Sequence, residues 1–286
     1  MTKRKENMSC KEVQSGNQSW WTRNMMAYDW HNELQAERFS SEWFDAIDKA
    51  HIYGARLFAT DKQPFDRTIP LDRLQGKKVL EIGCGMGLHT ETMVRAGADV
   101  TSIDITETAV EATTRRLELK GLGARIFQTN AEEMPFESGS FDFVWSWGVI
   151  HHSARTTRIV REIARVLAPG GECRVMVYNR NGTSAGVCYL RQHLIGGGIF
   201  RGSFDETLWS NTDGFTARYY VQEQFEDMFR AFFKDVHSEI CGQDSDVIPL
   251  PRRVRRMVLR YLPETYQRKA QATRGGFIFL KASFPF

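Results

Sequence analysis

The side chains best placed to do chemistry begin at Val79-Leu80-Glu81-Ile82-Gly83-Cys84-Gly85-Met86-Gly87, where an apolar run meets alternate glycines. Glycine permits a tight turn there, and a missing Cβ lets a ligand press on the backbone. A helical stretch follows, and its first N–H groups are free to meet that ligand. The spacing is G-x-G-x-G, with Leu88 standing where the dinucleotide fingerprint G-x-G-x-x-G has its third glycine, which disfavours a nicotinamide cofactor. About 20 residues on, the distance at which such sheets place a ribose-binding acid, Asp104 closes the apolar run Val100–Ile105. Its carboxylate can accept from both ribose hydroxyls; the alternative is a helix cap, a role that Thr106 suits better. His151 and His152 come just after Trp147-Gly148-Val149-Ile150. A neutral imidazole near pH 7 can take a proton from an acceptor; the plainer role is to cap the next helix or pack under it. His89, at the start of the helix after the glycines, either faces a ligand carboxylate or is simply exposed.

Elements must hold these residues in place. From Lys77 onward, strand-like runs at Lys77–Ile82, Val100–Ile105, Arg125–Thr129, Phe141–Trp147 and Glu172–Tyr178 alternate with helix-like runs at Leu88–Ala96, Glu107–Lys120 and Thr156–Leu167. In the last of these Ile159, Val160, Ile163, Val166 and Leu167 form one stripe, opposite Arg158, Arg161, Glu162 and Arg165, and Pro169-Gly170-Gly171 ends it. Strand–helix alternation with apolar strands implies a doubly wound α/β fold, its parallel sheet covered on both faces. Residues 1–18 are polar and expected to be flexible. An aromatic-rich segment over 19–71 includes a helix at Ser41–Leu57, and Pro64 and Pro70 punctuate the connector into a main domain over 72–286. Insertions are expected at 180–220 and 249–270, around a helix at Val221–Phe233, a strand near Val236–Ile240 and a final strand at Gly276–Ala282.

The chain resembles the class I S-adenosylmethionine (SAM)-dependent methyltransferases, especially the broad bacterial group acting on small molecules. Four blocks in order carry the resemblance: Val79–Gly87; Val100–Ile105; Asn130-Ala131-Glu132-Glu133-Met134-Pro135-Phe136 running into Phe141-Asp142-Phe143-Val144; and Val166-Leu167-Ala168-Pro169-Gly170-Gly171. Together they span roughly 77–180. The resemblance implies a Rossmann-like, mostly parallel seven-stranded sheet with an N-terminal helical lid and C-terminal insertions. It implies SAM as cofactor, S-adenosylhomocysteine as product and methyl transfer to O, N or C of a small molecule. Glu81, Gly83, Gly85 and Gly87 would surround the methionine part, Asp104 the ribose and Ile105 the adenine face. Asn130, Ala131 and Glu132 would border the adenine, and Trp147 would end its strand beneath the sulfonium. Such proteins often carry Asp where this chain has Asn130, whose amide can still bond the exocyclic amine.

Acceptor contacts are expected from Tyr28, Trp30 and His31 as a lid, and from Tyr178, Arg218, Tyr219 and Tyr220 after the fifth strand. Arg218 suits a bidentate clamp on carboxylate or phosphate, or else pairs with Asp213 or Glu223 as scaffold. That lining fits a phenolic or other specialised metabolite, a sugar or an isoprenoid. Two other functional classes remain: a non-catalytic SAM-binding or regulatory protein, and a nicotinamide oxidoreductase.

The wider composition narrows the partners. A 42% hydrophobic content with 38 Lys and Arg against 35 Asp and Glu excludes whole-chain disorder and gives no case for a dedicated nucleic-acid binder. No run approaches the ~18 apolar residues of a spanning helix, and the lysine-rich N-terminus lacks a secretory pattern. Five scattered cysteines without a C-x-x-C pair argue for a reducing, cytoplasmic setting and against a metal site, with Cys84 and Cys173 as small apolar packing groups. Charge is uneven in the C-terminal third: Arg252–Lys269 holds seven basic side chains against Glu264 alone, and Glu223–Asp246 is acidic. The basic segment reads as one amphipathic helix with a Val254, Met257, Val258 and Tyr261 stripe, either solvated, lying on an anionic membrane, or meeting the acidic stretch. It or the N-terminal helices would serve any homo-oligomer.

Overall fold

Leu80 and Ile82 of the first strand are buried on one face, and Val79 is buried on the other. Period-two alternation between two apolar faces commits that strand to the middle of a covered sheet. The computed structural model describes residues 8–26, 35–59 and 63–286. Its strands are β1 (Lys78–Ile82), β2 (Asp99–Asp104), β3 (Arg125–Gln128), β4 (Phe141–Trp147), β5 (Leu167–Asn179), β6 (Tyr219–Tyr220), β7 (Phe233–Cys241) and β8 (Phe277–Pro285). The sheet runs β3-β2-β1-β4-β5-β8-β7, and the two-residue β6 pairs with the end of β5. That is the expected seven-strand path with one short addition. Pairings from β3 to β5 are parallel, and β8 runs antiparallel to both β5 and β7.

Helices α3 (Leu88–Arg95), α4 (Glu107–Leu119) and α5 (Thr156–Val166) are the crossovers. In α5 the side chains of Ile159, Val160, Ile163 and Val166 are all buried, each contributing roughly 1.5–3 kcal/mol. They share a core with Leu80, Val144, Val175 and the later helix α8 (Gln222–Arg230), through Phe225 and Phe229. The opposite face packs Val79, Phe143, Trp145 and Phe279 against Phe58, Phe65, Ile69 and Leu74 of the N-terminal segment.

Two N-terminal helices, α1 (Cys10–Arg23) and α2 (Ser41–Gly54), precede the sheet. Helix α1 corrects the expectation of a flexible 1–18: a Ser9–Glu12 capping box starts it, and it buries Val13 and Asn17. Its docking face is largely polar, so hydropathy gave no sign of it. Helix α2 buries Trp43, Phe44 and Ile47. Arg116 of α4, 1% exposed, donates to Asp48 of α2 at 2.9 Å and to Glu91 of α3 at 2.7 Å, locking the three helices together.

Between β5 and β7 lie α6 (Thr183–Cys188), α7 (Phe204–Ser210), β6 and α8; between β7 and β8 lie α9 (Asp244–Val247), α10 (Arg252–Leu259) and α11 (Glu264–Arg274). The basic segment is therefore two helices rather than one. Pro263 has no N–H to continue α10 and becomes the residue before α11. Of the expected apolar stripe, Val254, Met257, Val258 and Tyr261 are all exposed, and Leu259 is the α10 side chain packed into the small core with Val247 and Ala270.

Candidate active site

A cavity of about 540 Å3 opens at the carboxyl ends of the parallel strands, beside β1 and β4, where the strand order reverses. Open α/β sheets bind ligands at that crevice. One lobe is lined by Gly83 and Gly85 after β1, Asp104 and Ile105 after β2, and Asn130 and Ala131 after β3. Gly83 has φ 86°, and a Cβ there would overlap the Val149 side chain, so the turn between β1 and α3 admits only glycine at that position. Its N–H and that of Cys84 donate to Ile103 O at 2.7 and 3.2 Å, folding the loop over β2. Beside Gly85, by contrast, a Cβ would meet nothing within 4 Å. Asp104 accepts from Gly85 N at 3.3 Å and from both Thr106 N and Thr106 Oγ1 at 3.0 Å. Burial pushes its carboxyl up, and those donors pull against the rise. Thr106 is also the cap of α4, accepting from Ala109 N.

His152 borders the same cavity. Its Nδ1 lies 2.7 Å from Thr216 O. A carbonyl only accepts, so Nδ1 carries the proton and Nε2 keeps its lone pair. That Nε2 is buried and without a hydrogen-bond partner among the described residues. Burial lowers the His152 pKa to about 4, leaving the ring neutral at pH 7. Gly214, at φ 99°, permits this approach: a Cβ there would stand 2.6 Å from His152 Nδ1. From α1, Asn17 Nδ2 donates to His152 O at 2.5 Å while Asn17 Oδ1 accepts from Thr216 N at 3.3 Å. Trp21 of α1 meets the imidazole edge-on at 5.0 Å.

The second lobe lies toward Tyr178, Phe277, Tyr53 and the α9–α10 region. His89 lines the cavity as a buried residue, accepting the Trp145 indole N–H at Nδ1, 3.2 Å away, so its own proton sits on Nε2. Phe65 and Trp147 wall the ring at 4.5 and 5.9 Å. Burial lowers the pKa of His89 well below the usual histidine range, and that of His51 beside it to about 3. No cluster of His, Cys, Asp and Glu among the described residues is arranged to hold a metal ion.

Residues 80–175 match the model of a methyltransferase domain. A ubiquinone biosynthesis O-methyltransferase of Ruegeria pomeroyi is 31% identical over 182 residues, covering 61% of this chain and 72% of that one. The chain belongs to the class I SAM-dependent methyltransferases. Similarly named proteins of Methylocella silvestris (31% identity, 53% of this chain) and Pseudomonas aeruginosa (36%, 38% of this chain) match over 59 and 47% of their own lengths, so the chain spans about half of each. Solved structures share the fold. Haemonchus contortus phosphoethanolamine N-methyltransferase 2 has TM-score 0.53 at 18% identity, over 84% of this chain and 57% of that one. A Bacillus halodurans protein described as a putative methyltransferase has TM-score 0.52 at 18%, over 77 and 98%. The [4+2]-cyclase SpnF has TM-score 0.51 at 21%, over 79 and 83%.

In this methyltransferase-family chain, the residues expected at the cofactor divide into those that line the cavity and those that support it. Gly83, Gly85, Asp104, Ile105, Asn130, Ala131 and Trp147 line it. Glu81 does not: 1% exposed, it accepts from the hydroxyls of Thr90 and Ser102 beneath the loop. Gly87 packs against Thr113 and Arg116. Glu132 is buried, tying Ser153 Oγ and Arg155 Nε to the β3–β4 loop at 2.7 and 2.8 Å. Of the histidine pair, His152 reaches the cavity and His151 lies behind it, 4.0 Å from the Tyr178 ring.

Tyr178 lines the second lobe, but Arg218 is no anion clamp there. Its guanidinium donates to the Ser153 and Ala154 carbonyls, in place of the Asp213 or Glu223 partner considered above. The Tyr219 and Tyr220 hydroxyls are likewise taken, by Thr212 and Thr156. Tyr28, Trp30 and His31 lie outside the described residues. Sequence reasoning missed Gln14, Asn17 and Trp21 of α1, and His51, Tyr53, Arg255 and Arg256 of the outer lobe. Of these, the two arginines are visible in the linear sequence as part of the basic segment, and Trp21, His51 and Tyr53 by residue type alone.

Proposed function

We propose that this chain transfers a methyl group from SAM to a hydroxyl of a small-molecule acceptor. One observation carries the reading: a glycine-turned, acid-flanked lobe at the switch point is continuous with a lobe that holds an unprotonated imidazole nitrogen. The first lobe fits the cofactor. Open space beside Gly85 leaves room for the methionyl part, Asp104 keeps lone-pair capacity for ribose hydroxyls, and Ile105, Asn130 and Ala131 form an edge for adenine. When bound, SAM supplies an electrophilic methyl on sulfur. Trp147 and Tyr178 offer flat walls that exclude water and align an acceptor.

His152 Nε2 accepts the hydroxyl proton. Because burial disfavours the imidazolium so strongly, the proton moves only as the acceptor oxygen gains positive character, so its removal accompanies transfer. The relatives named ubiquinone biosynthesis O-methyltransferases favour oxygen over nitrogen or carbon, and a quinone-type precursor over a specialised metabolite. Calorimetry should show SAM and S-adenosylhomocysteine binding with no NADH binding, and S-adenosylhomocysteine should accumulate with a hydroxylated acceptor. NADH binding more tightly than SAM would sink the assignment. SAM binding without turnover over a broad acceptor panel would overturn methyl transfer in favour of a non-catalytic SAM-binding protein.

A further inference from the structure

We propose that the outer lobe of the cavity is a subsite for an anionic group of the acceptor, a carboxylate or phosphate, recognised by Arg255 and Arg256. This deepens the methyl-transfer reading and rests on it for the identity of the acceptor. Both arginines line the cavity. They sit on α10, and the stretch 247–263 contains no Asp or Glu that could neutralise them locally. The acidic stretch before it does not do so either. Its Asp244, which lines the cavity next to Gln243 and Ser245, is paired with Arg56, just after α2. Arg255 donates to the Leu250 carbonyl at 3.1 Å, and the Arg256 guanidinium lies 5.4 Å from the Tyr53 ring centroid. Among the described residues neither has a carboxylate partner.

The polar neighbours at α9, Gln243 and Ser245, are neutral. The other carboxylates lining the cavity, Asp104 and Asp213, come from the end of β2 and the loop before β6 and form no ion pair with either arginine. Two arginines without an ion-pair partner thus stand beside the ring walls of Tyr53, Tyr178 and Phe277. An arginine fork in such surroundings gains most from a bidentate oxyanion, which carboxylate and phosphate both provide. The clamp that the sequence suggested at Arg218 is spent on backbone carbonyls, and its chemistry falls instead to α10.

The test titrates the full chain, loaded with S-adenosylhomocysteine, with 4-hydroxybenzoate, phenyl phosphate and neutral 4-hydroxybenzamide, read by the fluorescence of Trp21 and Trp147 in the cavity. At least one anion should bind about tenfold tighter than the amide. The benzoate and phosphate arms tell which oxyanion fits. The preference should weaken with added NaCl, vanish in the R255Q/R256Q double variant and persist in R253Q, on the same helix but outside the cavity lining. Equal affinity for charged and neutral probes overturns the proposal, as does a preference that survives in the double variant. Calorimetry of S-adenosylhomocysteine on each variant keeps the two claims separate. Loss of its binding in the parent chain would refute the cofactor assignment, while arginine-dependent anion binding to the unloaded chain would still support the subsite.

Discussion

His152 illustrates how one carbonyl sets a side chain's chemistry. Thr216 O fixes the proton on Nδ1, and burial lowers the pKa to about 4, so the free nitrogen is available as a base throughout the neutral range. The expected rate–pH profile therefore loses activity on the acid side near pH 4–5, where His152 takes up a proton, with no inflection at 6.5. His152→Ala should lower kcat by about 10²–10⁴-fold with S-adenosylhomocysteine affinity retained; unchanged kcat would remove its role as base. Glu81 makes the opposite case. Burial raises its pKa to about 7, against the hydrogen bonds from Thr90 and Ser102 that lower it. Its folded-state value lies above the unfolded one, so the neutral acid favours the fold, and that contribution fades as pH rises through 7. Glu81→Gln keeps an acceptor oxygen for both hydroxyls. Its melting temperature should therefore exceed the parent's at pH 8 and match it at pH 5, and a deficit at pH 8 would show that the charged form is the one the loop needs.

At the scale of elements, α1 is the part whose importance exceeds its hydropathy. It docks through polar contacts: Gln14 to Asn130 at 2.9 Å, Asn17 to His152 O at 2.5 Å and Gln18 to Ile105 O at 3.1 Å. These reach loops after β2, β3 and β4, so one helix braces Asn130, Ile105 and His152 together at the cavity. Gly16 adds to this: a Cβ there would overlap the Phe215 ring in the loop that carries Thr216. Asn17→Ala should strand the Thr216 N–H and leave the His152 carbonyl with only the Thr216 hydroxyl as donor, costing about 1–3 kcal/mol of stability and reducing kcat about tenfold or more through misplacement of the imidazole. Asn17→Asp keeps the acceptor but loses the donor, and should not rescue kcat. Stability and kcat unchanged in Asn17→Ala would mean that α1 is merely resting on the site.

Across the whole molecule, four of the described histidines, three of them buried and His51 half-buried, share one electrostatic habit. His51, His89, His151 and His152 all have pKa values lowered primarily by burial. Their folded-state values lie below the unfolded 6.5, so the unfolded chain binds protons that the native chain refuses. Stability should therefore fall as pH drops from 6.5 toward 5, with Glu81 offsetting part of the effect. Thermal melts at pH 7.5, 6.5 and 5.5 should show the melting temperature declining steeply across the last interval. A flat profile would mean that these rings are solvated in solution.

How much of this was legible in the linear sequence follows from the range of the forces involved. Period-two and period-3.6 apolar patterns are local, and they determined the β1–β5 alternation, the buried stripe of α5 and the doubly wound sheet. The G-x-G-x-G turn and Asp104 were legible for the same reason, since a strand-to-helix turn places them at the crevice whatever the remainder of the chain does. Polar docking leaves no such periodic trace. Helix α1 was therefore read as flexible, and the arginines of α10 as a solvated or partner-binding face, until tertiary contacts brought both to the cavity. Side-chain satisfaction decided the rest. Arg218, Tyr219 and Tyr220 have the residue types of a binding site, yet each is paired internally, Arg218 and Tyr220 with groups distant in sequence and Tyr219 with the nearby Thr212 hydroxyl. The sequence by itself determined the sheet and the lobe that suits the cofactor. Only the tertiary structure decided which histidine borders the cavity and which arginines lack a carboxylate partner, because both depend on groups brought together from distant parts of the chain.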